Sequence, residues 1–135
     1  MDEAKGNLVK NWLLKAKHDI ASAKKLSSGE DSYLDTAIYH CQQGVEKALK
    51  GFLVFHDLRF KKSHDLEILI SLAKSVEPDF DSFVAMGEEL TPYATLYRYP
   101  GEVIEPELSE FEDALKSAEK ICDFVYSLLP EEVQP

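Results

Sequence analysis

The residues best equipped for chemistry lie in one short stretch, Arg59-Phe60-Lys61-Lys62-Ser63-His64. A histidine with a pKa near 6.5 can move a proton on or off a ribose hydroxyl or a leaving oxygen. An arginine can hold a phosphate through two parallel N–H donors and stabilise the charge that develops on it. Between Lys47 and Lys62 five cations (Lys47, Lys50, Arg59, Lys61 and Lys62) face a single acid, Asp57. Lys50, Lys61 and Lys62 are therefore candidate anion-binding residues around a candidate catalytic pair, Arg59 and His64. A second candidate is Tyr97-Arg98-Tyr99, where two rings can stack on a base or ribose beside a cation that pairs with phosphate. Each has a plainer reading. His64 can simply bond the loop before a helix, and the Arg59–Lys62 cations can be a solvated loop. Tyr99 can pack under the Pro100 turn while Arg98 bridges to Glu102. His40 reads as a surface or interface residue, and Glu46 with Lys47 as an exposed charged pair.

The elements that must position these residues are helical. Leu34 to Phe55 holds no proline, and Leu34, Ala37, Ile38, Cys41, Val45, Ala48, Leu49, Phe52 and Phe55 recur at the spacing of an amphipathic helix. Gly44 and Gly51 each cost this helix about 1 kcal/mol of propensity, so close approach by a neighbouring helix is expected there. Asn7 is a candidate N-cap for a first helix over about 8–27 with Val9, Trp12, Leu13, Ala16, Ile20 and Ala23 inward. Asp31 or Ser32 can cap the central helix. Ser63 can cap a third, from His64 to about Val76, which Pro78 stops. Asp79 can cap a fourth, and Thr91-Pro92 marks a kink or a stop with a restart. Pro100-Gly101 is a turn, followed by an acidic loop. The last helix is expected over about 106–129 with Leu108, Phe111, Leu115, Ala118, Ile121, Cys122, Val125, Leu128 and Leu129 apolar, and with a solvated acidic face that includes Glu107, Glu110 and Glu119. The expected fold is all-α, an antiparallel up-and-down four-helix bundle with a fifth short helix, forming a single domain over 1–135 with its core at about 8–129.

Composition narrows the function classes. The 135 residues carry a formal net charge of −10, which argues against a general nucleic-acid coat. The acids are uneven: residues 1–74 hold 12 Lys/Arg against 10 Asp/Glu, and residues 75–135 hold 3 against 15. No apolar run reaches the length of a membrane span, and MDEAKGNLVKNW has no apolar signal region, so a cytoplasmic, non-membrane protein is expected. Cys41 and Cys122 fall on apolar faces and read as buried thiols. There is no CxxC and no His/Cys cluster at metal-ligand spacing, so neither a metal nor a cofactor is expected.

Three pieces in this order resemble the HEPN domain family: AIYHCQQGVEKALKGFLV (37–54), SHDL (63–66) and YRYPGE (97–102). The resemblance spans residues 8–129, and its most specific parts are the QQGVEKALK core and the RYP turn. It implies an up-and-down helical bundle that pairs as a homodimer. It also implies nucleotide or RNA binding, and a minimal nucleotidyltransferase as partner in a toxin–antitoxin-like module. Some branches of the family are metal-independent ribonucleases with Arg, four to six residues, then His, a spacing that Arg59 and His64 match. Those branches usually carry a polar residue after the arginine, where this chain has Phe60. That departure and the net acidity favour a binding module over an endoribonuclease; a purely structural dimerisation bundle is the third reading.

Overall fold

In the computed structural model, which describes all residues 1–135, five α-helices follow one another: α1 (Glu3–Leu26), α2 (Leu34–Phe55), α3 (Leu66–Lys74), α4 (Val84–Leu90) and α5 (Leu108–Ser127). Short 3-10 turns at Pro78–Phe83, Thr91–Ala94 and Glu131–Val133 complete the chain, and there is no strand. The all-α expectation holds, with three long helices and two short ones.

α2 is the axis of the bundle, and its bounds match the sequence period. Its residues Ala37, Ile38, Cys41, Val45, Ala48, Leu49, Phe52 and Leu53 are all buried. A Cβ added at Gly44 would lie 2.8 Å from Ile20 Cδ1, and one at Gly51 would lie 3.1 Å from Trp12 Cβ and Leu13 Cδ2. The two glycines let α1 press directly on α2, which offsets their propensity cost. As α2 runs from 44 to 51 its partner in α1 falls from 20 to 12, so the two helices are antiparallel. On the other side Phe52, Phe80 and Phe124 pack edge to face with centroids 4.9 Å apart, joining α2 to α5 through the turn before α4. Cys41 and Cys122 are buried and unpaired.

Several expected boundaries shift for local reasons. α1 starts at Glu3 because Asp2 caps it, its carboxylate accepting from Lys5 N at 2.7 Å; Asn7 lies inside the helix. Neither Asp31 nor Ser32 caps α2; its N-cap is Tyr33, without a side-chain bond. α3 starts at Leu66 because Asp65, accepting from Glu67 N at 2.9 Å, is the cap, while Ser63 accepts from Asp65 N one step earlier. Glu77, not Asp79, precedes the turn into α4, and Pro78 takes the first position, where its missing N–H costs nothing. Thr91-Pro92 does stop and restart the chain as a 3-10 turn. α5 begins at Leu108 rather than Pro106, and Leu108 is exposed at its first turn.

The end of α2 directs the chain toward the candidate site. Leu58 N donates to Leu53 O at 2.9 Å and Asp57 N to Val54 O at 3.1 Å, the paired bonds of a Schellman cap. Asp57 occupies the left-handed position with φ 58°, where glycine is the usual residue. The reversal turns residues 58–65 back along α2.

Candidate functional site

His64 is held against α2 by two side chains one turn apart. Gln42 Nε2 donates to the His64 carbonyl at 2.9 Å, and the His64 Nδ1 lies 2.7 Å from Glu46 Oε1. The imidazole is 61% exposed whereas the Glu46 side chain is 6% exposed, so the carboxylate sits beneath the ring. With Nδ1 engaged by Glu46, Nε2 is the ring nitrogen left without a partner in the chain. That is the arrangement in which a carboxylate orients an imidazole for proton transfer.

Glu46 also accepts from Lys50 Nζ at 2.9 Å and from Gln42 Nε2 at 3.3 Å. Burial alone would push this carboxyl upward; the hydrogen bonds from His64 and Lys50, with the Lys50 charge, outweigh it and hold the group below its usual range. Glu46 is therefore a buried ionised hub, not half of an exposed pair. Lys47 turns the other way, to Asp19 Oδ2 at 2.7 Å. Lys50 is likewise no surface cation: it is buried, paired with Glu46, and lies 5.8 Å from the ring centres of both Trp12 and Phe60. Its placement removes it from the set of free anion-binding groups. Phe60, the departure from the ribonuclease pattern, is half-buried against the core and covers this ammonium.

Arg59, Lys61 and Lys62 are exposed in the returning loop and form no ion pair or side-chain hydrogen bond within the chain. Beside the exposed His64 these three make a cationic strip whose donors are unspent. The start of α3 is fixed behind it, Leu66 N donating to Thr91 Oγ1 at 3.0 Å.

The 97–99 segment is a separate feature. Tyr97 stacks on Tyr93 with centroids 6.1 Å apart, and both hydroxyls donate to Glu110, at 2.9 and 2.7 Å. Glu110 is thereby taken out of the solvated acidic face, and Tyr97 serves to clamp its strap to α5. Arg98 does not bridge to Glu102: its guanidinium lies 3.8 Å from the ring centre of Tyr39 on α2. Tyr99 does not pack under Pro100; it is 69% exposed. No helix is long and apolar enough to cross a membrane.

The HEPN domain family matches residues 9–131 of this chain. The crystal structure of TT1696 from Thermus thermophilus is similar over 91% of this chain and 99% of its own, at 27% identity and a TM-score of 0.72. The crystal structure of ST0689, described as an archaeal HEPN homologue, is similar in fold over 89% of this chain and 96% of its own, at 24% identity and a TM-score of 0.66. None of the curated proteins matches.

Proposed function

The chain belongs to the HEPN domain family, and on that premise we propose that it binds nucleotide or RNA through the cationic strip around His64. The observation that carries this reading is the unspent donor set: Arg59, Lys61 and Lys62 are exposed and unpaired beside an imidazole whose Nδ1 is fixed by Glu46. On a chain of net charge −10, the acidic remainder repels polyanions and confines them to this strip. The protein acts as a homodimer and as the partner of a minimal nucleotidyltransferase in a toxin–antitoxin-like module. Both roles come from the family reading.

The oriented imidazole favours a second reading, a metal-independent endoribonuclease. There His64 Nε2 exchanges the proton of the ribose 2′-hydroxyl or the leaving oxygen, and Arg59 stabilises the phosphate. Incubating the purified protein with RNA in EDTA, beside His64→Ala, separates the two. Cleavage that falls by on the order of 100-fold in the variant establishes the enzyme. RNA bound without cleavage by either protein establishes the binding module. RNA neither bound nor cleaved refutes both.

A further inference from the structure

Between α1 and α5 runs a groove of about 410 Å³, walled by Lys17, Ile20 and Ala21 on one side and by Cys122, Asp123 and Tyr126 on the other. The ion pair of Lys24 with Glu119, 3.0 Å apart, bounds one end. Gln134 bounds the other, its amide donating to Tyr126 O at 2.8 Å and to Leu129 O at 3.0 Å. The volume lies in the range of small-molecule sites. None of these residues belongs to the His64 strip.

The groove holds polar capacity that the fold does not use. Tyr126 Oη is the buried side-chain polar atom of this chain that has no hydrogen-bond partner, and such orphans are rare in native folds. Burial pushes the hydroxyl up, with smaller pushes from Cys122 and Asp123, so it stays an uncharged O–H. Because it is shut off from solvent, a group that completes it must come from the groove its side chain lines. Lys17 of α1 and Asp123 of α5 stand on opposite walls, and neither forms an ion pair or a side-chain hydrogen bond. Ile20, Ala21 and Cys122 add apolar surface beside them.

These groups select the charge of an occupant. An anion would be opposed by Asp123 and a cation by Lys17, whereas a molecule that carries both charges satisfies each. We propose that this groove takes a free α-amino acid with an aliphatic side chain. Lys17 meets its carboxylate, Asp123 and Tyr126 Oη meet its ammonium, and Ile20, Ala21 and Cys122 cover its side chain. Asp123 and Tyr126 lie three apart on α5, the spacing at which two side chains can share one ammonium. Bound there, the amino acid ties α1 to α5 and stabilises the folded bundle. The site shares neither residues nor ligand class with the His64 strip, so the two stand or fall separately.

The test titrates L-leucine into the purified protein at neutral pH, beside isopentylamine and isocaproate, which keep its side chain but lack its carboxylate or its ammonium. The readout is the NMR signals of Ile20 and Ala21. Leucine should move them and bind about fivefold tighter than either single-charge probe, the size of one exposed ion pair. Lys17→Gln should bring leucine down to the level of isopentylamine in the same variant, and Asp123→Asn to that of isocaproate. Both side chains are exposed, so these variants keep the fold. Tyr126→Phe should weaken leucine by about fivefold, the size of one hydrogen bond. Signals that stay still on addition of leucine would overturn the proposal. So would a single-charge probe that binds wild type as tightly as leucine does, or a leucine affinity unchanged in any of the three variants.

Discussion

Replacing Glu46 by glutamine tests whether this residue is a buried charged hub. The amide keeps the shape and can accept one hydrogen bond, but it carries no charge for Lys50, which lies in the hub only 8% exposed. Breaking a buried pair by removing one partner costs about 3–5 kcal/mol, and the bond the glutamine retains returns about 1 kcal/mol, leaving a loss of about 3 kcal/mol. For a chain of this size that is a fall of roughly 10 °C in Tm. Circular dichroism melts at pH 7 measure it. Adding Lys50→Met should restore at least half the loss, because the stranded ammonium is then gone. The gap between wild type and Glu46→Gln should also depend on pH. Glu46 is held below its usual range in the folded state. Its contribution is therefore fully present above the unfolded carboxyl pKa of about 4.3 and disappears as pH falls through the lower folded value. A variant within about 0.5 kcal/mol of wild type at pH 7, inside the range of ordinary surface changes, would refute the buried-hub reasoning. So would a gap that persists unchanged in strong acid.

Asp57→Gly relieves a left-handed backbone at the end of α2 and gives up an exposed ion pair with Lys5, so a gain of about 0.5–1 kcal/mol is expected in urea titration. Cys41, pushed up to about 12 by burial with a smaller push from Glu119, should react with a thiol reagent at pH 8 only as fast as the fold opens, and a rapid reaction in the native protein would contradict its place in the core. A homodimer should scatter light as about twice the 15.3 kDa of one chain, and the exposed Tyr99, Val103, Ile104 and Leu108 are the apolar residues a partner could cover; a mass of one chain at micromolar concentration would refute it.

The sequence was readable where apolar period and backbone demands agree. α2 is bounded correctly because its seam runs unbroken from Leu34 to Phe55, and Gly44 and Gly51 announced the close approach of α1. The start of α1 was missed because Glu3 to Gly6 adds a polar first turn with no apolar period to reveal it. Ser63 and Asp65 can both cap, and only geometry shows that Asp65 does. The candidate site was half legible. Arg59, Lys61, Lys62 and His64 lie together by chain position alone, and the structure leaves them exposed. Glu46 and Lys50 were misread because polar residues four apart on a helix look the same whether water or a returning loop covers them. The available signal was Gln42, Glu46 and Lys50 at successive i+4 positions along the most buried helix, a polar stripe with little solvent to face. His40, expected at a surface or interface, lies partly exposed where α1 meets α2, and its partner Asp19 was not legible because it lies on another helix.

The central claim, that the strip around His64 is the polyanion site, is tested most directly by the affinity of a fluorescent single-stranded oligoribonucleotide at fixed low salt. Wild type should bind, and Arg59→Ala with Lys62→Ala should weaken binding by about tenfold or more, with a shallower salt dependence from the lost phosphate contacts. An affinity and salt slope unchanged by removing both charges would contradict it.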